Sequence, residues 1–453
     1  MSKLRQIPFG DVVHFKKGIN YTSNDYGNED NGVPFITIKC FKKGGGYEKN
    51  GLKYFNGVFN ESDTLVKGQV LFSVTDLTRA GDIVGSPLKV PDFGKSRISL
   101  ASMDLMKIEP KDGECINEYI YYCLMSDDIR RKMVTFSAGS TVLHLDIKRV
   151  PEFIVPIPKI SFQRKIACIL STVDAVIEKT EAAIVKYKMI KAGMMRDLFT
   201  RGIDLKTGRL RPSYEESPEL YKQSELGWVP KKWNEGRFID LADKNISHSF
   251  TGGPFGSDLQ TKHYTITGVR IIQLQNIGDG VFNNKYKIYT DETKANQLIN
   301  CNIYPGEIIM SKMADPIARA CIIPNTAKRF LMASDGIRLA IDKRKFNTCF
   351  ILETINNNRF RRIAELKAIG STRSRIGLTE LKDIPIIYPE KKEQDLIGQR
   401  LDTINDLLKD EENYLNKIKQ LKQALMSDLL TGKVRVKYEE EKEEVGNGQN
   451  RKF

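Results

Sequence analysis

The sequence predicts an α+β protein with two globular modules, each followed by a long α-helix. The two helices are predicted to pair as an antiparallel coiled coil with pseudo-two-fold symmetry. Three observations favour this fold class. The second half of the chain repeats the first, each half ends in a long segment with coiled-coil spacing, and the rest of each half contains many short β-branched segments.

The repeat is clearest in the two long segments. At an offset of 231 positions, which aligns Gln163 with Gln394, 12 of the 38 positions from Gln163 to Thr200 carry the same residue. Gly139-Ser140-Thr141 likewise aligns with Gly370-Ser371-Thr372. Solenoid repeats recur every ~20–50 residues, so this long period indicates a tandem duplication of a domain together with its helix.

The modules match in layout more than in sequence. Gly32–Ile38 resembles Gly268–Leu274, and each is predicted to be a short strand that follows a glycine turn. The same holds for Lys67–Ser73 and Pro305–Ser311. Late in each module a helix is predicted, over Asn117–Val134 and over Thr348–Leu366.

The chain is therefore expected to have six segments. They are module 1 (1–158), the first long helix (159–201), a polar connector (202–225), module 2 (226–388), the second long helix (389–433) and a tail that is predicted to be disordered (434–453).

The long segments carry apolar residues at alternating steps of four and three, from Ile166 to Leu198 and from Ile397 to Leu429. Both seams are interrupted at the same two steps, by Thr180 and Lys191 in the first and by Glu411 and Lys422 in the second. A helix of about 40 residues spans roughly 60 Å. Two related seams in one chain are expected to pair with each other; the alternative is two separate amphipathic helices, each packed on its own module.

The charge favours a polyanionic partner. The net charge is +14 and the pI is about 9.2, and each Lys or Arg that meets a phosphate releases a counterion; a merely soluble basic surface is the alternative. The seven cysteines and four histidines show no ligand spacing. Apolar runs are far shorter than the ~20 residues that cross a membrane, and the first ten residues show no signal pattern, so a cytoplasmic location is expected.

Several motifs resemble those of type I restriction-modification specificity subunits. Leu226–Trp233 resembles the G-x-I-P-x-x-W start of a target recognition domain in that family, and Pro254–Ser257 and Gln275–Ile277 continue the pattern. So do the paired helix starts Pro158…Gln163 and Pro389…Gln394, and the ending Leu429–Val436. Module 1 departs from the pattern, because Leu4–Gly10 keeps Ile-Pro but lacks the Trp.

The resemblance implies a non-catalytic subunit that reads a bipartite, asymmetric DNA target. Each module would read one half of the target, and the helix pair would set the gap. The subunit would dock two modification subunits, which bring S-adenosylmethionine and adenine methylation, and in a restricting complex two motor-nuclease subunits that use ATP and Mg²⁺. No cofactor is expected on the chain itself.

Candidate base contacts follow from the chemistry of the major groove, where Arg and Lys suit guanine and Asn and Gln suit adenine. Residues of these types lie near the predicted strands and after the second Gly-Ser-Thr turn. They are Lys39, Lys42, Lys43 and Arg79 in module 1, and Arg270, Gln273, Gln275, Asn276, Lys312, Arg319, Arg373 and Arg375 in module 2. Each could instead be a solvated surface residue.

Two other functions remain open on the sequence. Pro91-Asp92 followed by Glu109-Pro110-Lys111 superficially fits a nuclease motif that holds Mg²⁺, although the aligned positions in the second half carry no carboxylate. The chain has no Gly-x-x-x-x-Gly-Lys-Ser/Thr loop and no Asn-Pro-Pro-aromatic motif. The second alternative is an architectural DNA-binding protein without sequence preference.

Overall fold

The computed structural model describes residues 4–434, apart from residues 79, 95, 97, 314 and 371–373. Arg79, Arg373 and all but the first residue of the predicted disordered tail lie outside the described residues. The chain forms two compact units: unit 1 comprises Met1–Glu181 and Asn413–Phe453, and unit 2 comprises Ala182–Glu412. Each unit thus contains one module and about half of each long helix.

Module 1 is built around two four-stranded sheets. In the central sheet all neighbours are antiparallel, in the order Val13–Lys17, Leu105–Pro110, Val70–Ser73 and Pro87–Lys89. In the mixed sheet the order is Tyr26–Gly27, Lys53–Phe55, Val33–Ile36 and Leu100–Ala101, and the last two strands are parallel. Smaller antiparallel groups join Arg5–Pro8 to Ile154–Ile157, and Ser137–Ala138 to Leu143–Leu145 and Thr75–Asp76.

Module 2 repeats the topology of the central sheet and of three strands of the mixed sheet. Its central sheet has the order Phe250–Gly252, Gly336–Leu339, Ile308–Ser311 and Ala320–Ile322, again antiparallel. Its mixed sheet has the order Ile288–Thr290, Val269–Ile272, Phe330–Met332 and Asn302–Ile303, with the middle two strands parallel. Asn234–Arg237 pairs with Pro385–Tyr388 and joins the two ends of the module. The duplication predicted from the sequence is therefore visible in the strand order of the central sheets, while the mixed sheets share three strands and add the fourth at opposite edges.

The late helix of each module is broken in two, where the sequence predicted one. The pairs are Asn117–Met125 with Asp127–Thr135, and Thr348–Asn356 with Asn358–Lys367. Ser126 and Asn357 stand at the breaks in extended conformation and cap the second helix of each pair with their side chains. Because both are strong N-cap residue types, each ends one helix and starts the next. Short helices elsewhere are Phe9–Val12, Glu292–Gln297 and Leu378–Lys382.

The long helices run over Ile160–Thr200 and Lys391–Leu430, close to the predicted bounds. Gly202 and Gly432 follow them with φ of 64° and 74°, a left-handed conformation that suits glycine at a helix C-terminus. Among the described residues, no helix is long and apolar enough to cross a membrane.

The two helices pair in antiparallel fashion within each unit. In unit 1, Lys422 contacts Asp174 and Lys419 contacts Glu181, so positions rise along one helix as they fall along the other. In unit 2, Lys188 contacts Glu412. Seam residues of both helices are buried in one core with their module: Leu170 and Leu429 in unit 1, and Leu198 and Leu401 in unit 2. The alternative of separate helices that do not pair is therefore wrong.

The connector that follows the first helix is folded, despite its polar composition. Ile203–Asp204 pairs with Arg209–Leu210, and Tyr221–Ser224 pairs with Gly227–Pro230. Its anchor is the buried carboxylate of Glu393, which accepts two hydrogen bonds from Arg211, at 2.6 and 2.7 Å, and one from the backbone N–H of Ile203. The indole of Trp233 donates to the same carboxylate at 3.2 Å, so this Trp secures the start of module 2.

Candidate nucleic-acid interface

In module 2, Asn276 organises the turn that follows the parallel strand Val269–Ile272. Its side-chain oxygen accepts from the backbone N–H of Gln273 at 2.9 Å. Its amide nitrogen donates to the carbonyl oxygens of Asn283 and Tyr286, each at 2.9 Å. Asn276 is buried, so all its hydrogen bonds serve the turn and the segment beyond it.

Arg270 supports the same segment from the interior. Its guanidinium donates to the side chain of Asn284 and to the carbonyl of Tyr286, and it lies 5.2 Å from the Phe282 ring centroid. Burial lowers the pKa of Arg270. The structure thus places Arg270 and Asn276, two predicted base contacts, inside the module, so neither belongs to an exposed interface.

Arg270 and Asn276 hold in place an exposed loop that carries basic and aromatic side chains. Lys285, Tyr286 and Lys287 are exposed, and Gln275 is exposed on the adjoining turn. Gln275 donates to the side chain of Gln273 at 2.9 Å. Cations interleaved with an aromatic ring suit a phosphate backbone and its bases. Sequence analysis missed the two lysines and the tyrosine, although Lys-Tyr-Lys in a run rich in Gly and Asn was a usable signal.

Arg319 links this turn to the next loop. Its guanidinium donates to the carbonyl oxygens of Ile277 at 2.5 Å, Leu274 at 3.0 Å and Asp315 at 3.3 Å. Three backbone acceptors occupy its donors, so Arg319 braces the turn that carries Gln273 and Gln275.

Lys312 and Arg375 both contact Asp335, the first through its backbone N–H and the second through its guanidinium. Lys312 is half-buried and donates to the carbonyl of Ser334 at 2.8 Å; burial lowers its pKa. Arg375 lies 3.8 Å from the Asp335 carboxylate and keeps 60% of its side chain exposed. Its backbone forms an isolated antiparallel bridge with Ile369. Arg375 is therefore more accessible to a ligand than either the buried Arg270 or the half-buried Arg319.

Module 1 presents its predicted lysines on the loop that follows its own parallel strand, Val33–Ile36. Lys39, Lys42 and Lys43 are exposed, and Lys43 forms an ion pair with Asp82 at 2.7 Å. Gly44, Gly45 and Gly46 follow with φ of 86°, 111° and 98°, and Gly45 packs so closely on Met125 and Pro87 that a Cβ would collide with them. The glycines therefore hold the lysines at the surface on a tight, fixed loop.

Comparison with known proteins agrees with this architecture. The family model described as "Type I restriction modification DNA specificity domain" matches residues 1–187 and 273–420. The type I restriction enzyme MjaVIII specificity subunit of Methanocaldococcus jannaschii is 24% identical over 383 residues, which cover 84% of this chain and 81% of the relative. The EcoBI specificity subunit of Escherichia coli is 19% identical over 457 residues, which cover 98% and 89%.

A solved structure shows the same fold. The S subunit of a type I restriction-modification system from M. genitalium matches with a TM-score of 0.59 at 13% identity, over 95% of this chain and 96% of that one. The family match covers well over half of the chain. The chain belongs to the type I restriction-modification specificity subunits.

Within this specificity subunit, the duplicated arginines Arg130 and Arg361 each support a surface turn of their own module. Arg130 donates to the carbonyl of Asp82, beside the lysine loop of module 1. Arg361 donates to the Asp279 carboxylate at 3.0 and 2.5 Å, beside the turn at Gly278–Val281 in module 2. Their repetition in the sequence therefore reflects support for the loops, and the exposed residues on those loops differ between the modules.

The residues of the nuclease-like motif bind separate partners. Asp92 accepts from Lys67 at 2.9 Å, Glu109 contacts Lys107 at 2.7 Å, and Lys111 donates to the carbonyl of Gly10 at 2.7 Å. Among the described residues of this specificity subunit, no contact joins the Asp92 and Glu109 carboxylates to one another.

Proposed function

We propose that this specificity subunit reads a bipartite, asymmetric DNA target, one half through each module, and takes no part in catalysis itself. The observation that carries the proposal is the contrast between the shared strand order of the central sheets and the unlike residues exposed on the loops. Module 1 presents Lys42 and Lys43 on a glycine turn, whereas module 2 presents Gln275, Lys285 and Arg375. Two readers with one scaffold and different contact groups suit two different half-sites.

The antiparallel helices are proposed as the spacer. Each is continuous over 40 or 41 residues, and a helix of that length spans roughly 60 Å. A rigid helical element between two readers sets the number of base pairs that separate the half-sites, because DNA rotates and rises with every added pair.

The outer faces of the helices are proposed to dock two modification subunits, which bring S-adenosylmethionine. In unit 2 the first helix exposes Val185 and Met189, the latter with 71% of its surface accessible, and the second exposes Leu407. In unit 1 the second helix exposes Tyr414 and Leu421. Large apolar side chains on a solvent face favour burial against a partner. In a restricting complex two motor-nuclease subunits, with ATP and Mg²⁺, would join them.

The test is a selection on random duplexes, with and without the modification subunits. A gapped motif should be enriched, and the subunit should prefer it over unrelated duplexes by ~10³-fold or more. Arg375→Ala should weaken the base preference in one half of the selected motif, and Lys42→Ala should weaken it in the other half. Equal retention of all duplexes would instead establish an architectural protein without sequence preference and would overturn the proposal.

A further inference from the structure

The two lysines that interrupt the helical seams, Lys191 and Lys422, are mostly shielded from solvent, with 27% and 16% of their side chains exposed. In unit 2, Lys191 donates to the Glu353 carboxylate at 2.8 Å, and the side chain of Glu353 is only 6% exposed. Asn405 donates to the same carboxylate oxygen at 3.0 Å. These three residues come from the first long helix, the module 2 helix Thr348–Asn356 and the second long helix. We call them the unit 2 triad.

Unit 1 contains the matching unit 1 triad. Lys422 lies 2.5 Å from one oxygen of the Asp174 carboxylate, and the Tyr122 hydroxyl donates to the other at 2.8 Å. Here too the residues come from both long helices and a module helix, Asn117–Met125. Burial and the Asp174 charge raise the pKa of Tyr122, so its hydroxyl remains a donor.

The triads occupy the same positions of the repeat but differ in chemistry. The offset of 231 aligns Tyr122 with Glu353, Asp174 with Asn405 and Lys191 with Lys422. Both triads contain the lysine. The carboxylate lies on a long helix in unit 1, as Asp174, and on the module helix in unit 2, as Glu353. Each triad retains one cation and one carboxylate.

Exposed ion pairs between the helices behave differently. Lys188–Glu412 in unit 2 and Lys419–Glu181 in unit 1 are also equivalent under the repeat, and both residue types are unchanged. Each joins the two long helices and lies at the surface. They provide a matched comparison for the less exposed triads.

A charge at a seam position weakens packing, because desolvation costs more than a buried pair usually returns. A polar seam residue instead selects one register and one partner. Each triad extends this selection beyond the helix pair, because one of its members lies on a module helix. Each triad therefore joins its module helix to both long helices.

We propose that Lys191 and Lys422 are positioning residues that fix the orientation of each recognition module on the two long helices. They thereby fix the number of base pairs accepted between the half-sites. This inference rests on the proposed bipartite reading. The role differs between the units: Lys191 bonds directly to the module helix, whereas Lys422 acts through Asp174 and the Tyr122 hydroxyl. Loss of Lys191 should thus loosen its module more than loss of Lys422.

The first experiment compares gap lengths selected by the full subunit with its modification subunits. Lys191→Met should lower affinity for the preferred gap by about 2- to 30-fold, the range for coupling through residues that touch no ligand, and should enrich gaps one base pair longer and shorter. Lys191→Arg, which keeps the charge, should retain the single gap length of the wild type. Lys188→Met is the control and should leave the gap unchanged. A single unchanged gap for folded Lys191→Met would overturn the proposal.

A transplant tests the chemistry of the triad. Glu353→Tyr removes the carboxylate from the unit 2 triad and should broaden the gap distribution. Adding Asn405→Asp recreates the Tyr–Asp–Lys set of unit 1 and should narrow the distribution again. If the gap distribution of the double variant were as broad as that of Glu353→Tyr alone, the assignment of the triad would be contradicted.

A measurement without DNA separates this inference from the proposed function. Hydrogen exchange of the helix Thr348–Asn356 should accelerate in Lys191→Met and remain unchanged in Lys188→Met. If the wild-type subunit selected no gapped motif, the proposed function would fail. The exchange measurement would still test whether Lys191 positions the module helix. Unchanged exchange in Lys191→Met would overturn the positioning role even if a gapped motif were found.

Discussion

Gln163 and Gln394 make the same three hydrogen bonds at the starts of the two long helices. Gln163 accepts from the backbone N–H of Ile116 and donates to the carbonyls of Glu114 and Pro158. Gln394 accepts from the N–H of Asn347 and donates to the carbonyls of Lys345 and Pro389. Both are buried. The Pro-x-x-x-x-Gln motif thus clamps each module helix to the long helix that follows it.

Replacing this clamp with an apolar residue should destabilise the protein. Gln394→Leu leaves the partly buried N–H of Asn347 and the carbonyls of Lys345 and Pro389 without their partner, and each unsatisfied group costs up to about 1–3 kcal/mol. Urea denaturation should show a lower midpoint. Gln399→Leu, at an exposed position on the same helix, should change the midpoint little. Equal midpoints for the two variants would exclude the clamp.

The Glu393 carboxylate should be among the costliest groups in unit 2 to neutralise. Glu393→Gln leaves the Arg211 guanidinium, which is 13% exposed, without its ion-pair partner. Removing one partner of a buried pair costs about 3–5 kcal/mol. Thermal unfolding should detect the loss, with exposed Glu390→Gln as the control. A change no larger than that of the control would contradict the assigned anchor role.

Arg375→Ala should weaken DNA binding without weakening the fold. Its guanidinium is largely exposed and bonds weakly to Asp335 and Met313, so the melting temperature should stay near that of the wild type. If Arg375 contacts a base, affinity for the selected target should fall by about 1–3 kcal/mol, with relaxed preference at one position. Lys382→Ala, an exposed cation of the same module, serves as the control in fluorescence anisotropy. Unaltered affinity and preference would remove Arg375 from the interface.

Stability should decline in alkali because of the buried tyrosines of module 1. Burial raises the pKa of Tyr119, Tyr121 and Tyr122 above the ordinary value of 10.0. Above that pH the unfolded chain loses these phenolic protons while the folded chain keeps them, so the free energy of unfolding falls as pH rises. Urea unfolding from pH 9 to 11 measures the slope. Tyr119→Phe should make the slope shallower, and an identical slope would show that this hydroxyl ionises normally in the folded state.

The sequence predicted the helices better than the surfaces. The paired seams, their polar interruptions and the terminal glycines are local patterns, and all follow from residue spacing. The partners of Lys191 and Lys422 could not be predicted, because Glu353 lies on a module helix far away in sequence. The breaks at Ser126 and Asn357 could have been predicted, since both are N-cap residue types.

The predicted base contacts illustrate why strands are harder to interpret. Val269–Ile272 is buried along its whole length, so alternation along the strand does not identify an outward face. Arg270 therefore lies in the interior, although its residue type suggested a surface role. Exposure depends on how other elements cover the sheet, and a single sequence does not contain that information. The DNA-contact assignments of the exposed residues stay predictions.

The short pairing of the two ends of each module has a genetic consequence. Arg5–Pro8 lies beside Ile154–Ile157, and Asn234–Arg237 lies beside Pro385–Tyr388. The chain thus arrives at and departs from each module at one place, and the exposed loops proposed to contact DNA lie between those two strands. A recombination event that exchanges the intervening segment would alter what is read without rerouting the chain. New specificities could then arise by cassette replacement, with no need for gradual change in an established reader.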